Sequence, residues 1–297
     1  MDITVAQPSR FKRMFEVLKE LYNDLEIQFD QDGFGFRLVD KTTTCFGHLK
    51  VDNRPEHFPV YQLKKPVKIC INVAQFCTVL HPLSNDHTLR LKVPDEQIDQ
   101  PQELIVFMED MCQSDSDDFM GDKRSATIKL SNPEQEDSLE GENLVFEKTV
   151  QIDSNKLRSY IGDLAGMSER VTVTIGDTNM QLYCQSDRLD YHLKIGCKPI
   201  VTQGQPALPS TDGKGGDLPL SAGERTGVYA LRYMKLFVKA QDLSGKVLLS
   251  LSNEGIMLWR FEMKDYGLLQ FFLAPISTEP NLFGKNQEAP EEEELLV

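Results

Sequence analysis

One pattern recurs four times along the chain, and it constrains the fold more than any other feature. Each copy begins with apolar residues spaced by three and four positions, which is typical of a helix with one buried face. Sequence with alternating apolar and polar residues follows each copy and predicts strands. The predicted helices cover residues 9–21, 72–83, 153–167 and 228–243. The copies share this pattern with little residue identity, so we interpret it as an internal structural repeat.

Turn signals divide the strand-like sequence into pairs of strands. Such dipeptides favour the tight turns of β-hairpins. They occur at Asp32-Gly33, Gly176-Asp177 and Glu254-Gly255. Ser9 stands where a residue could cap the first helix. Each unit is therefore predicted to be a helix followed by strand, turn and strand, which places the chain in the α+β class.

The four units form two pairs, which predicts two similar domains. The first domain covers residues 1–130 and the second covers 146–276. Residues 131–145 are polar, acidic and rich in turn formers, as expected of an interdomain linker. Three further segments interrupt or follow the pattern: an acidic loop at 109–124, a Pro- and Gly-rich insertion at 198–227 and an acidic tail at 277–297.

The overall charge limits the kind of partner. The chain has 297 residues, 40% of them hydrophobic, which is enough for two domains with their own cores. Its formal net charge of −14 argues against a surface that is cationic throughout, but it is compatible with a local cationic face. The six cysteines form no CxxC pair and are predicted to be reduced thiols. We find no segment typical of a secretory signal or a membrane span.

Motifs of catalysis are missing from the sequence. It contains no GxxxxGK[ST], GxSxG, HExxH or GxGxxG pattern. The segment SDSDD at 114–118 lacks the glycine and the final glutamate of a calcium loop, which favours a solvated acidic loop. We therefore predict no enzyme activity, no cofactor and no metal site. A metal-dependent nuclease that uses these carboxylates is the alternative from a different class.

The outward faces of the predicted helices carry the most informative charges. On the fourth helix Arg232, Lys235 and Lys239 lie opposite the apolar stripe, and no acid shares their face until Asp242. An ordinary solvated face is the alternative for any single helix. Three unopposed cations in so acidic a chain nevertheless indicate an anionic ligand, and phosphate is the simplest one. Further outward cations on the first and third helices are Lys12, Arg13, Lys19, Lys156 and Arg158.

The C-terminal stretch carries the most specific motif. It reads YALRYMKLFVKAQDLSGKVLLSLSNEGIMLWRFEMKDYGLLQFFLAPI, with ALRY at its start, KA near the end of the helix and LAP at its end. It closely resembles the proliferating cell nuclear antigen family, the sliding clamps of eukaryotes and archaea. INVAQFCTVLHPLSNDHTLRLKV and SRFKRMFEVLKELYNDLEIQFDQDGFGFRLVD match that family at the level of pattern. The resemblance covers most of the chain, apart from the insertions and the tail.

The resemblance implies a DNA-clamp fold and a ring of three identical protomers. The helices would line a hole that holds duplex DNA, and a clamp loader would place the ring on the DNA. Edge strands at 123–131 and 183–196 would pair head-to-tail between protomers. The implied function is a processivity factor that tethers DNA polymerase and other replication and repair proteins. The implied location is the nucleus, or a viral replication site or the cytoplasm for a viral or prokaryotic source.

Members of this family bind short peptides in a hydrophobic pocket near the end of the last strand. The positions that match this pocket are Val39, Ile256, Phe272, Ala274 and Pro275, with Leu144 and Val145 from the linker. We expect this cluster to be exposed. Because Phe271 and Leu273 alternate with Phe272, we expect both of them to point into the core.

The sequence also departs from the family pattern. Thr78 and His81 replace lysines that are usual on the second helix, and Ser159 and Gly162 replace arginines that are usual on the third. The hole should therefore be less positive than usual, so that DNA binding is weaker or depends on the loader. Asp177 aligns with the lysine that carries ubiquitin-type modification in eukaryotic clamps. A subunit of a heterotrimeric checkpoint-type clamp, with less of the pocket chemistry, is the alternative within the same fold.

Overall fold

The computed structural model describes residues 1–40, 42–110, 122–131, 144–186, 188–199 and 224–276. Most of the predicted acidic loop, linker and insertion, and the whole predicted tail, lie outside these residues. The SDSDD segment also lies outside them.

Four α-helices form as the sequence predicts, but each is shorter than predicted. They are α1 (Pro8–Leu18), α2 (Val73–Leu80), α3 (Ser154–Leu164) and α4 (Leu231–Phe237). A short 3-10 helix at Val238–Asp242 continues α4. The predicted start of the fourth helix at residue 228 is wrong, because residues 228–230 belong to a strand. Val228 and Tyr229 are residue types that favour strands.

The N-cap residues of three helices are Gln7, Asn72 and Asp153, and Ser9 is not among them. Ser9 lies inside α1, so the prediction that it caps this helix is wrong. Gln7 is at the N-cap, and Pro8 opens the helix because its fixed φ suits the first turn. Asn72 and Asp153 cap α2 and α3, and each accepts a hydrogen bond of 3.0 Å from the backbone N–H three residues later.

The described residues contain eighteen strands, numbered in chain order. They are β1 (Asp2–Val5), β2 (Asp24–Asp30), β3 (Gly33–Val39), β4 (Cys45–Asp52), β5 (Val60–Gln62), β6 (Val67–Asn72), β7 (His87–Lys92), β8 (Glu103–Asp110), β9 (Lys123–Lys129), β10 (Phe146–Asp153), β11 (Arg170–Ile175), β12 (Asn179–Ser186), β13 (Leu189–Gly196), β14 (Lys198–Pro199), β15 (Arg225–Ala230), β16 (Lys246–Ser252), β17 (Met257–Glu262) and β18 (Gly267–Leu273).

A strand leads into every helix, which the sequence pattern does not predict. The repeated unit is a strand, a helix and three strands, and its lead-in strands are β1, β6, β10 and β15. Each lead-in strand pairs with the other unit of its half of the chain. Thus β1 pairs with β7 and β6 with β2, while β10 pairs with β16 and β15 with β11. The two units of each half are therefore interlocked.

Three antiparallel sheets result from this pairing. Their strand orders are β5-β1-β7-β8-β9, β13-β12-β11-β15 and β14-β10-β16-β17-β18-β4-β3-β2-β6. The nine-stranded sheet passes from one half of the chain to the other where β18 pairs with β4, from Gly267 opposite Val51 to Leu273 opposite Cys45. The last strand is apolar because it lies inside this sheet, and residues 269–273 are buried.

The helices lie on one side of the sheets and share one hydrophobic core. α1 contacts α2 and the 3-10 helix that follows α4, and α3 contacts both α4 and this 3-10 helix. Phe271 stacks on Phe237 with ring centroids 4.5 Å apart, and Trp259 packs on Phe237 at 5.6 Å. Phe271 and Leu273 thus point into the core as expected. No helix in the described residues has the length and hydrophobicity needed to cross a lipid bilayer.

We expect Phe271→Ala to lower the free energy of unfolding by about 3–5 kcal/mol, because truncating a buried aromatic side chain leaves a cavity. The side chain is fully buried. Denaturant titration measures the loss. As a control, Phe271→Leu keeps much of the volume and should cost less than about 1.5 kcal/mol. Unchanged stability of the alanine variant would mean that this side chain does not lie in the core.

Candidate functional site: a cationic helical face and an apolar cluster

The predicted cations of the fourth helix are exposed. Arg232 and Lys235 lie on α4, and Lys239 lies on the 3-10 helix that continues it. The structure brings an acid to this face from α1, because Lys239 Nζ lies 3.3 Å from Glu20 Oε1. The prediction of an acid-free face is therefore wrong at Lys239. Its cause is the packing of α1 beside the 3-10 helix, which the sequence of one helix does not reveal.

A second ion pair joins the same two elements. Arg13 Nη1 lies 2.8 Å from Asp242 Oδ2, and both side chains are about half exposed. Lys12 donates a hydrogen bond of 2.5 Å to the carbonyl oxygen of His81 and is 19% exposed. Three of the eight predicted cations, Lys12, Arg13 and Lys239, are thus engaged within the chain. The two ion pairs place α1 beside the 3-10 helix that continues α4.

The other five predicted cations have no acidic group within 4.0 Å in the part of the chain that the structure describes. They are exposed, and they are Lys19, Lys156, Arg158, Arg232 and Lys235. The Arg232 guanidinium lies 5.0 Å from the centroid of the Tyr233 ring, which leaves its N–H groups free. A phosphate could bind these side chains without breaking an existing ion pair.

Sequence reasoning missed two cations, one on α1 and one near it. Arg10 and Lys264 line a cavity of 470 Å³ together with Arg13, Asp242 and Glu262. The Arg10 guanidinium also donates a 2.5 Å hydrogen bond to a backbone carbonyl of the second half. Arg10 points toward the other half of the chain, so the charge pattern of α1 alone gives no signal for it. Three cations against two acids leave the cavity with little net charge.

A second hydrophobic cluster lies on the face of the nine-stranded sheet that points away from the helices. We call it the outer cluster. Its buried members are Phe46, Phe146, Ile256, Leu258 and Phe272, and Val39 and Leu144 pack against them. The Phe272 ring centroid lies 5.4 Å from that of Phe46 and 6.2 Å from that of Phe146. Four of the predicted pocket residues therefore meet: Val39, Leu144, Ile256 and Phe272.

The remaining predicted pocket residues lie beside the outer cluster. The N–H of Ala274 donates to the Thr44 carbonyl at 2.9 Å, which fixes the chain as it leaves β18. Pro275 is half-buried and passes Gly255, whose φ of 79° favours glycine. Val145 is half-buried and is not part of the cluster.

Three members of the outer cluster were not predicted from the sequence. Phe46 and Leu258 are the residues directly opposite Phe272 on the two strands that flank β18. Phe146 is the first residue of β10. Only the register of strands from distant parts of the sequence brings these side chains together, so no local pattern identifies them.

The outer cluster is less exposed than the sequence predicts. Phe272 is 1% exposed and Ile256 is 2% exposed. The expectation of an exposed cluster is therefore wrong for both, because the rings of Phe46 and Phe146 pack in the same layer. It is also wrong for Ala274, which is 8% exposed. Phe272 forms part of the floor of this surface. The half-buried side chains at its rim are Val39, Leu144 and Pro275.

An acidic side chain holds the loop after Val39 against α4. Asp40 accepts hydrogen bonds from the Tyr233 hydroxyl at 2.6 Å and from the N–H groups of Thr44 and Cys45 at 2.8 and 2.7 Å. Burial of Asp40 favours its neutral form, but these bonds and one from a neighbouring threonine outweigh burial and lower its pKa. The contact joins the two halves and fixes one side of the outer cluster.

A buried histidine lies next to the outer cluster. His48 Nδ1 is 3.0 Å from Gln270 Oε1 on β18. Because the amide oxygen can only accept, His48 carries a proton on Nδ1. Burial lowers the pKa of His48, and the hydrogen bond with Gln270 opposes this shift without cancelling it. His48 is therefore neutral at physiological pH.

Two family models match the chain over most of its length. The model described as the N-terminal domain of proliferating cell nuclear antigen matches residues 1–121, and the model of its C-terminal domain matches residues 141–276. The chain belongs to the proliferating cell nuclear antigen family. Its fold and function are those of a DNA sliding clamp, a processivity factor in DNA replication and repair. Sliding clamps of this family are non-enzymatic scaffolds, and the checkpoint-type and nuclease alternatives are not favoured.

Curated relatives match the chain almost from end to end. The proliferating cell nuclear antigen of Chaetomium thermophilum is 24% identical over 275 residues, which is 93% of this chain and 97% of that protein. The protein of the same name from Saccharomyces cerevisiae is 24% identical over 276 residues, 93% of this chain and 97% of that one. The one from Dictyostelium discoideum is 24% identical over 275 residues, 92% and 98% of the two chains.

The departures from the family pattern lie on the surface. Ser159 and Gly162 are exposed on α3. The Thr78 hydroxyl donates a 2.9 Å hydrogen bond to a backbone carbonyl one turn earlier in α2, so it adds no charge there. Asp177 forms an ion pair with Lys148. These positions offer no cation to a bound anion.

We expect the stability of the wild-type protein to fall as the pH decreases through the region of His48 titration. Because its pKa is lower in the folded chain, the unfolded chain binds more protons below about pH 6.5, the ordinary histidine value. The loss should begin near that pH and end at the lower folded-state pKa. Thermal melting of wild type and His48→Asn between pH 8 and 5.5 measures it. Equal pH dependence of the two melting temperatures would contradict the prediction.

Proposed function

We propose that three copies of this chain close a ring around duplex DNA with the helices facing the DNA. The observation that carries this proposal is the layer of four neighbouring helices, which carries five exposed cations with no ion pair among the described residues, in a chain of net charge −14. Cations of this kind bind phosphates and do not read the base sequence, which suits a ring that slides. The acidic remainder of the surface repels DNA.

The proposed inner face is weakly cationic. Three of the predicted cations are engaged within the chain, and α2 offers only Thr78 and His81 where the family usually has lysines. We infer that the ring binds DNA weakly by itself and depends on a clamp loader for its placement. The salt dependence of DNA binding tests which side chains contribute.

We expect the triple variant Arg232→Ala, Lys235→Ala, Lys239→Ala to bind duplex DNA more weakly and with a flatter salt dependence. Each lost phosphate contact should reduce the slope of log K against log salt by about 1 per protomer. Arg232 and Lys235 should account for most of the loss, because Lys239 is already paired with Glu20. Fluorescence anisotropy with a labelled duplex across a salt series measures both quantities.

Lys50→Ala serves as the control for DNA binding. Lys50 is exposed on β4 and lies on the same face of the sheet as Phe46, away from the helices. Its removal lowers the positive charge by one unit, as each single change in the triple variant does, and should leave DNA affinity unchanged. Wild-type affinity and slope in the triple variant would contradict the helical DNA interface.

The ring is proposed to close through edge strands. β9 and β13 lie at the edges of the five- and four-stranded sheets. Leu189 on β13 is 46% exposed and is the one exposed large hydrophobic side chain in the described residues. An edge strand with such a side chain is a template for pairing with another chain. Head-to-tail pairing of β9 with β13 of the next copy gives a heterologous contact that can close into a homotrimer.

We expect Leu189→Asp to shift the protein from trimer to monomer, because it places a charge in the proposed contact between two edge strands. Leu189→Ile keeps the apolar surface and should remain trimeric. Light scattering coupled to size-exclusion chromatography, at several protein concentrations, gives the mass. A trimer of wild-type stability in the aspartate variant would place the contact elsewhere.

The outer cluster is the proposed docking site for short peptides of DNA polymerase and other partners. The proposed docking residues are Val39, Leu144, Ile256 and Phe272 of the outer cluster, together with Val145, Ala274 and Pro275 beside it. It lies on the face of the sheet opposite the helices, so a bound partner does not compete with DNA. Apolar anchors at such a surface gain affinity by leaving water. Because Phe272 is buried, the anchors are proposed to contact the rim.

The remaining proposals concern organisation and location. The domain boundaries are proposed at residues 1–130 and 146–276, with 131–145 as the linker. We propose that the chain has no catalytic activity and needs no cofactor. A nuclear location is proposed because the relatives that match the chain are eukaryotic nuclear antigens by name.

A further inference from the structure

A row of polar side chains runs beside the outer cluster on the same face of the sheet. Arg37 lies opposite His48, His48 opposite Gln270, and Gln270 opposite Arg260, so that the row crosses β3, β4, β18 and β17. We call these four residues the polar row. Its middle lies where the two halves of the chain meet.

Residues of the outer cluster form a parallel row, two residues away from the polar row on each strand. Val39, Phe46, Phe272 and Leu258 are opposite one another in the same order of strands. Side chains two residues apart on a strand point to the same face and are about 7 Å apart. An apolar row and a polar row therefore adjoin across four strands.

The polar row contains hydrogen-bond donors that have no partner among the described residues. Gln270 is 1% exposed, and its Nε2 is one of these donors, while its Oε1 is held by His48. The buried Arg260 Nε is the other, and Arg260 Nη2 pairs with Glu262 at 3.1 Å. Buried donors in folded proteins are nearly always satisfied, so unused ones point to a ligand.

The charge of the row indicates the chemistry of this ligand. Arg37 is exposed and has no ion pair in the described residues. Arg37 and Arg260 contribute two positive charges against the one carboxylate of Glu262. Guanidinium groups and an amide N–H together match a carboxylate, which accepts several hydrogen bonds and is attracted by the net charge.

We propose that the polar row binds an acidic side chain of a partner peptide whose apolar anchors occupy the outer cluster. This inference rests on the proposed docking of peptides there and adds a requirement for their sequence. An extended peptide advances about 3.4 Å per residue, so the acidic residue lies two or three positions from an anchor. The row selects acidic partners on a protein whose net charge otherwise repels them.

The occupant is assigned to a partner because the polar row is continuous with the proposed docking cluster. The glutamates at positions 291–294 of this chain carry the same chemistry. A variant with these four glutamates changed to glutamine distinguishes the two sources.

The test uses the full chain and two fluorescent peptides. Both peptides carry the same two aromatic anchors. One peptide has Glu at the positions two and three residues before and after the anchors, and the other has Gln at these positions. We expect wild type to bind the Glu peptide roughly three- to tenfold more tightly, as for a charge-assisted contact at a partly exposed site. Arg260→Gln and Arg37→Gln should each reduce this ratio toward one and leave affinity for the Gln peptide unchanged. Arg170→Gln, a change of equal charge on β11 of another sheet, should keep the ratio.

The possible results separate this inference from the docking proposal. If wild type binds both peptides equally, the polar row is not a carboxylate site, while docking at the outer cluster stands. If it binds neither, the docking proposal fails, and the inference fails with it. A ratio that survives both arginine changes also overturns the inference. If the preference emerges only in the variant that lacks the four tail glutamates, the occupant is the tail of this chain and the assignment to a partner is wrong.

Discussion

The pairing of β18 with β4 is the contact on which the rest of the molecule depends. It joins strands from the two halves, so that their sheets become a single sheet of nine strands. One hydrophobic core continues beneath all four helices. The Asp40–Tyr233 contact and the ion pairs between α1 and the 3-10 helix add to this junction from the helical side. The relative position of the two halves is thus set by backbone hydrogen bonds as well as by side chains.

The same strand separates two kinds of surface. Phe271 points toward the helices, where the cations lie, and Phe272 points to the outer cluster. Alternation along one strand therefore places the proposed DNA contact and the proposed partner binding on opposite faces of the sheet. A substitution on one face of the sheet affects function at the other face mainly by changing the stability of the sheet. Because both rings are buried, loss of function in an alanine variant at either position has to be separated from loss of folding.

Local signals in the sequence predict the local elements well. Apolar spacing predicts the four helices, and Asp32-Gly33 predicts the β2–β3 hairpin, where Asp30 accepts hydrogen bonds from both N–H groups. The lead-in strands are not predicted, because each one pairs with a strand of another unit. The sequence of the lead-in strand itself does not indicate this partner. The Lys239–Glu20 pair and the burial of Phe272 are missed for the same reason. Resemblance to the clamp family supplied four positions of the outer cluster, Val39, Leu144, Ile256 and Phe272. Its other members are identified only by strand register.

The position of β18 in the sequence also affects when the sheet can form during synthesis of the chain. This strand is synthesised last among the described elements, yet its neighbour β4 lies near the start of the chain, as the 222-residue separation of His48 and Gln270 shows. Until the ribosome has released residues 267–273, β4 is an unpaired edge strand whose side chains are buried only in the complete fold. Such an edge promotes aggregation with other nascent chains. Closure of so long a loop is slow compared with local folding. Completion of the nine-stranded sheet therefore waits until β18 has been synthesised, and a chain truncated before β18 leaves that edge open.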